Sequence, residues 1–227
     1  MVRLEEVYKY FKTTQGRKII LDNVSLELPT DRNIGFIGKN GAGKSTLVRI
    51  LAGSMAPNSG KVTRLVRMSW PLGFVGGFPN SSTAYDTIRF VSRIYGEDWR
   101  RILERVEEFA ELGDYLDMPI ATYSSGMRSR LVFGLSFAID FECYLMDEIL
   151  GVGDARFRQR ADALMTERFK YSKMILVSHN PNQLIKYCKS GVVLQNGKLT
   201  YFEDVRDALK YYEQTNNVSL AATSEEI

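Results

Sequence analysis

Residues 34–53 read IGFIGKNGAGKSTLVRILAG, and this stretch decides the fold. It opens as a short apolar strand, turns through glycines, and continues with helical apolar spacing to a closing Gly53. Gly38-Lys39-Asn40-Gly41-Ala42-Gly43-Lys44-Ser45 matches G-x-x-x-x-G-K-[ST] in full, and it sits in the strand–loop–helix setting that the motif requires. The chemistry dictates the residue types. Gly38, Asn40, Gly41, Ala42 and Gly43 let backbone N–H groups curl round phosphates, and the helix start adds its dipole. Lys44 brings a point charge to the β and γ phosphates. Ser45, followed by Thr46, offers a hydroxyl to Mg²⁺. The stretch therefore predicts a nucleoside triphosphate site with Mg²⁺.

Two further places downstream complete a site of that kind. The apolar run "FECYLMDE" ends in Asp147 and Glu148. A strand-end Asp beside a phosphate loop is the usual second partner of Mg²⁺, and the adjacent Glu can polarise an attacking water. The only histidine, His179, follows the apolar run "MILVS" and precedes the turn signal Asn180-Pro181. It thus stands at another strand's carboxyl end, where ligands of open α/β sheets bind. Its expected role is to contact the γ-phosphate and order the water and Glu148. Lys44, Glu148 and His179 form the expected catalytic set. Ser45 and Asp147 form the metal set.

The 227 residues suit one domain, expected over 1–215. Charged residues are 25% and hydrophobic residues 44%, as in ordinary globular chains. No apolar run is long enough to span a bilayer, and "MVRLEEVYKY" lacks the core of a signal peptide, so a cytoplasmic location is expected. Cys143 and Cys188 read as core thiols. A net charge of +3 without a Lys/Arg block gives no case for nucleic acid. The N-terminal runs "VRLEEVYKYF" and "RKIILDNVSLELP" read as antiparallel strands turning at "TTQG". Helical spacing fills 85–138, within an inserted lobe expected over about 78–139. The run "GVVLQNGKLTYF" reads as a hairpin turning at Asn-Gly, and a last helix precedes a polar tail, 216–227, expected to be disordered.

Taken together, the motifs resemble the nucleotide-binding subunit of an ABC transporter. The fold this implies is an α/β P-loop NTPase (RecA-like). A mostly parallel core carries an N-terminal antiparallel β-subdomain and an inserted α-helical subdomain. Such subunits carry a signature, typically L-S-G-G-Q, before the acidic strand. Here the matching residues are Tyr123-Ser124-Ser125-Gly126-Met127. Ser124 and Gly126 keep the pattern, whereas Ser125 and Met127 depart from it. By resemblance, Ser124 and Gly126 bind the γ-phosphate held by a second copy, in a head-to-tail homodimer. Phe11 looks like the aromatic that stacks on adenine, with Tyr10 as the alternative. Asp154 looks like the family's dimer-contacting Asp. Ile149 stands where a Pro is usual, and no Gln occurs between Gly16 and Arg158, so the family's Mg²⁺-contacting Gln is missing.

That Gln should have fallen in or beside "SWPLGFVGGFPN", residues 69–80, an uncharged aromatic segment without helix or strand period. In the family this is the seam that receives a membrane-spanning permease, and apolar walls suit such docking. The wording "YSSGMRSRL" with "DEILGVGDARF" is similar to ATP-binding proteins that export capsular polysaccharide; O-antigen and teichoic-acid exporters are related. No carbohydrate-binding domain is expected after the last helix, which favours the capsule type. The resemblance thus implies a peripheral subunit at the cytoplasmic face of the inner membrane, with a permease and a polysaccharide substrate. The rival expectations are an ABC ATPase without a permease and a regulatory nucleotide sensor.

Overall fold

The computed structural model of the chain describes residues 1–72, 79–147 and 155–224, with side chains outside it at 155 and 217–224. The chain divides into two compact units. The first holds 1–70, 143–148 and 173–227, and the second holds 71–142 and 149–172. The second is wider than the 78–139 lobe expected from helical spacing.

The first unit begins with β1 (Val2–Thr13) and β2 (Gly16–Leu28), antiparallel about the Thr13–Gly16 turn. β4 (Ser59–Arg64) pairs with the other edge of β1. The second sheet has the order β5-β6-β7-β3-β8-β9. Its members are β3 (Ile34–Ile37), β5 (Met68–Leu72), β6 (Cys143–Asp147), β7 (Lys173–Val177), β8 (Ser190–Gln195) and β9 (Lys198–Phe202). β6, β7, β3 and β8 run parallel, and β9 returns antiparallel through Asn196-Gly197, as the hairpin signal predicts.

The parallel strands read as continuous apolar runs because the sheet is covered on both faces. On one face, α1 (Lys44–Ala52) packs into a core with Leu4, Leu21, Phe36, Leu47, Ile50 and Leu145. On the other lie α6 (Pro181–Tyr187) and α7 (Val205–Ser224). Two register-paired glycines permit that close approach. A Cβ on Gly35 would stand 2.9 Å from Leu184, and one on Gly191 would stand 2.5 Å from the Ala208 Cβ. Asn33 ties strand starts together, donating to the Tyr187 carbonyl at 2.8 Å and accepting from the Met174 amide at 3.0 Å. Cys143 and Cys188 are buried free thiols, and burial pushes the Cys188 pKa up to about 12.

The second unit contains α2 (Ala84–Tyr95), α3 (Trp99–Ala110), α4 (Ser125–Ala138) and α5 (Ala155–Arg168). Thr83 and Asp86 form a capping box on α2, and Asp98 caps α3. α4 is buried from Leu131 through Ala138, so it shows no amphipathic stripe. Its Phe133 and Phe137 pack with Phe109 of α3 and Phe157 of α5, with Phe133 4.6 Å from Phe137 and 5.1 Å from Phe109. Asp140 gathers Arg168, Arg105 at 3.3 Å and Arg101 at 3.7 Å. No described helix is long and apolar enough to cross a membrane.

Three readings differ from the structure. α5 went unread because six charged residues crowd its sequence and leave only Phe157, Ala161 and Met165 buried. Helical backbone of α7 continues to Ser224, through much of the stretch read as a tail. The uncharged segment 69–80 is in part regular: Ser69–Leu72 belongs to β5, with Ser69 and Leu72 both 1% exposed. An edge strand tolerates Pro71, and a strand buried on both faces shows no alternation. Ser69 Oγ accepts from the Leu145 amide at 2.9 Å and donates to the Trp70 carbonyl at 2.7 Å, which commits it to the sheet. Residues 73–78 lie outside the described residues.

Candidate functional site: a phosphate loop at the carboxyl edge of the sheet

The loop after β3 is shaped by backbone alone. Gly43 takes φ +109°, and a Cβ there would stand 2.3 Å from Ile20 Cγ2. Only glycine meets both conditions. Ala42 N–H donates to the Lys39 carbonyl at 3.1 Å, closing the turn that hands the chain to α1. The α1 amino end, with no acidic residue in its first turn, therefore faces the loop with its dipole uncompensated by side chains. Lys44 is 7% exposed, and its Nζ donates to the Gly38 carbonyl at 2.7 Å and the Lys39 carbonyl at 3.0 Å. These two bonds hold the ammonium over the loop.

A cavity of about 750 Å³ opens above the loop. Phe11, Asn40, Gly41, Gly43, Lys44, Ser45, Thr46, Asp147 and His179 all line it. Gly38 and Ala42 shape the loop without lining that cavity. Asp147 ends β6 and lies in register with Val177 of β7, so parallel neighbours carry Asp147 and His179 to the same sheet edge. The turn after His179 is fixed by Ser178, whose Oγ accepts from the Asn180 amide at 3.0 Å and donates to Gln183 at 2.8 Å. Asn180 in turn caps α6.

Sequence reasoning missed two residues of the lining, Lys18 and Ile20. Lys18 pairs with Phe11 across β1 and β2, and Ile20 shares its strand face. No local signal marks them, because only the hairpin's fold brings β2 over the loop. The ring of Tyr10 lies instead under Arg17, 4.5 Å from its guanidinium carbon. Ser124 belongs to the second unit, where it caps α4 and its Oγ accepts from the Met127 amide at 3.2 Å. Gly126 lies in the first turn of that helix. Glu148 and Asp154 lie outside the described residues.

Ser45 and Asp147 bring a hydroxyl and a carboxylate to one cavity, the hard oxygen donors that suit Mg²⁺. A buried ammonium, a glycine-rich loop and a helix start converge on the same space, the arrangement that holds a polyphosphate.

Residues 21–151 match the ABC transporter family. The chain belongs to that family. As an ABC ATPase it is 44% identical to the ATP-binding protein BexA of Haemophilus influenzae, over 95% of this chain and 99% of the relative. It is 42% identical to the capsule polysaccharide export ATP-binding protein CtrD of Neisseria meningitidis serogroup B, over 93% of this chain and 98% of the relative. Its fold matches that of the ATP-binding cassette MJ0796, solved as a dimer in a post-hydrolysis state with ADP and Pi. The TM-score is 0.73 at 18% identity, over 89% of this ABC ATPase and 98% of the other chain.

Proposed function

We propose that this ABC ATPase powers export of a polysaccharide, of the capsular type, through a separate membrane permease. The observation that carries the reading is the 42% identity to a capsule polysaccharide export ATP-binding protein across 93% of this chain. The ATPase works as a homodimer bound to the cytoplasmic face of the inner membrane. Each composite site joins the phosphate loop of one copy to Ser124 and Gly126 of a second copy.

The cavity lining supports the roles assigned to Phe11, Lys44, Ser45, Asp147 and His179, and that of Glu148 comes from the family resemblance. Phe11 stacks on adenine beside Ile20. The loop amides and Lys44 hold the β and γ phosphates, and Lys18 adds charge at the cavity wall. Ser45 and Asp147 hold Mg²⁺, which when bound neutralises phosphate charge during transfer. Glu148 accepts a proton from the attacking water, and His179 orders that water against the γ-phosphate. ATP favours the closed dimer, hydrolysis releases it, and the permease halves follow. Such coupling requires ATP to bind the closed state better than the open one.

The test is to delete the gene in the native host and stain for surface polysaccharide. Loss of surface polysaccharide with retention inside the cell is expected. It should be restored by the wild-type chain and not by Lys44→Ala, which should lose nucleotide binding. Glu148→Gln should bind ATP, remain dimeric and hydrolyse it at least ~100-fold more slowly. Normal surface polysaccharide in the deletion strain would overturn the export reading. Brisk turnover by Glu148→Gln would remove Glu148 from the base role.

A further inference from the structure

A second cavity, of about 280 Å³, lies within the helical unit and owes nothing to the phosphate loop. It is lined by Arg89, Ser92, Arg93, Glu97 and Trp99, from the end of α2 and the start of α3. Two features mark it as built to receive a ligand. Ser92 is 1% exposed, yet its hydroxyl has no hydrogen-bond partner. A buried hydroxyl left so is costly unless something completes it. Arg89 and Arg93 stand one helical turn apart on the same wall, and Arg93 has no ion pair among the described residues. The Arg89 guanidinium lies 4.5 Å from the centre of the Trp99 ring, and that of Arg100 lies 5.0 Å from it. Stacking holds the forks in place and leaves their N–H edges for an oxyanion. Two carboxylates lie nearby: Asp86, engaged in the capping box with Thr83 and within electrostatic reach of Arg89, and Glu97, which lines the cavity with the arginines. Arg89, Arg93 and Arg100 still outnumber them.

The adjoining face of α2 carries an apolar pair. Phe90 and Ile94 are 62% and 59% exposed, each one residue on from an arginine and so about 100° round the helix from it. Two exposed apolar side chains, three arginines and a tryptophan on neighbouring turns form an amphipathic edge of the kind that seats at a lipid–water boundary. A bare phosphate ion would use the arginines and hydroxyl but leave Phe90 and Ile94 without purpose. A phosphate carrying acyl chains uses both.

We propose that this edge binds the phosphate of an anionic phospholipid headgroup. Arg89, Arg93 and the Ser92 hydroxyl take the phosphate oxygens, while Phe90 and Ile94 enter the acyl boundary. The site lies apart from nucleotide hydrolysis and does not rest on the transport reading.

The purified ATPase is to be sedimented with phosphatidylcholine vesicles, with and without phosphatidylglycerol. Wild type should bind only the phosphatidylglycerol vesicles. The Arg89→Gln/Arg93→Gln variant should bind them on the order of 30-fold more weakly, from the usual contribution of two arginines at an anionic surface. Ser92→Ala, with no change in charge, should bind several-fold more weakly. ATP hydrolysis should be unchanged in both variants, which verifies folding. Equal binding to both vesicle types would overturn the proposal, as would an unaffected Ser92→Ala, which means surface adsorption alone. Full displacement by soluble glycerol phosphate would reassign the cavity to free phosphates. Wild-type vesicle binding by the double variant, with loss of co-purifying permease, would reassign the face to a protein partner.

Discussion

The two units solve opposite problems. The first builds its site from consecutive residues and main-chain geometry: a glycine at φ +109°, loop amides and a helix start. The second is held by side chains far apart in sequence: four phenylalanines of α3, α4 and α5, and Asp140 with arginines from α3 and α5. A backbone site tolerates almost no change at its glycines but little depends on its surroundings being unique. A side-chain core can lose one member and still fold, at a cost graded by volume and charge.

Gly43→Ala should give the largest effect and break the first half of the comparison most directly. The new Cβ meets Ile20 Cγ2 at 2.3 Å in a backbone conformation hostile to L side chains. Nucleotide affinity, measured by calorimetry, should fall at least ~100-fold. Unchanged affinity would show that the loop is not backbone-determined. Next, Phe133→Ala removes the centre of the aromatic cluster, with Phe133 6% exposed. It should cost about 3–5 kcal/mol in denaturant unfolding. A loss below about 1 kcal/mol would mean that the second unit does not depend on this cluster.

Asp140→Asn tests the charged part of the same unit, and about 1 kcal/mol is expected because the carboxylate is half exposed. Burial alone would raise the Asp140 pKa from its ordinary 3.8, but the hydrogen bond and charge of Arg168, with those of Arg105, outweigh it and bring it lower. The sign follows from linkage. A lowered native pKa gives stability that is present above the ordinary value and lost as pH falls through the native one. Wild type should therefore lose stability on acidification faster than Asp140→Asn, and parallel acid limbs would discard the staple. The smallest effect belongs to Phe11→Ala, expected to weaken ATP binding by roughly 2–10-fold. Tyr10→Ala should leave binding unchanged, since its ring packs under Arg17 outside the cavity lining; the reverse ranking would exchange their roles.

Legibility followed the same division. The phosphate loop, the acidic strand end, the lone histidine and the Asn-Gly hairpin were readable because each is a local pattern whose geometry is fixed within a few residues. α5 was not, since its three buried positions, Phe157, Ala161 and Met165, are submerged among charges. Lys18 and Ile20 carried no signal because their place depends on β2 lying over a loop that starts about twenty residues later. Ser69–Leu72 misled in the opposite direction, as burial on both faces erased the alternation that marks a strand.

By itself, then, the sequence determined the phosphate loop and the family, because a phosphate cradle is made of contiguous backbone and a few fixed side-chain types. Only the tertiary structure decided what surrounds that cradle. It brought Asp147 and His179 to one sheet edge, and it placed Lys18 and Ile20 over the loop. It also buried the Ser92 hydroxyl, without a partner, beside two arginines. Those arrangements depend on burial and register between distant segments, and burial is a property of the folded chain.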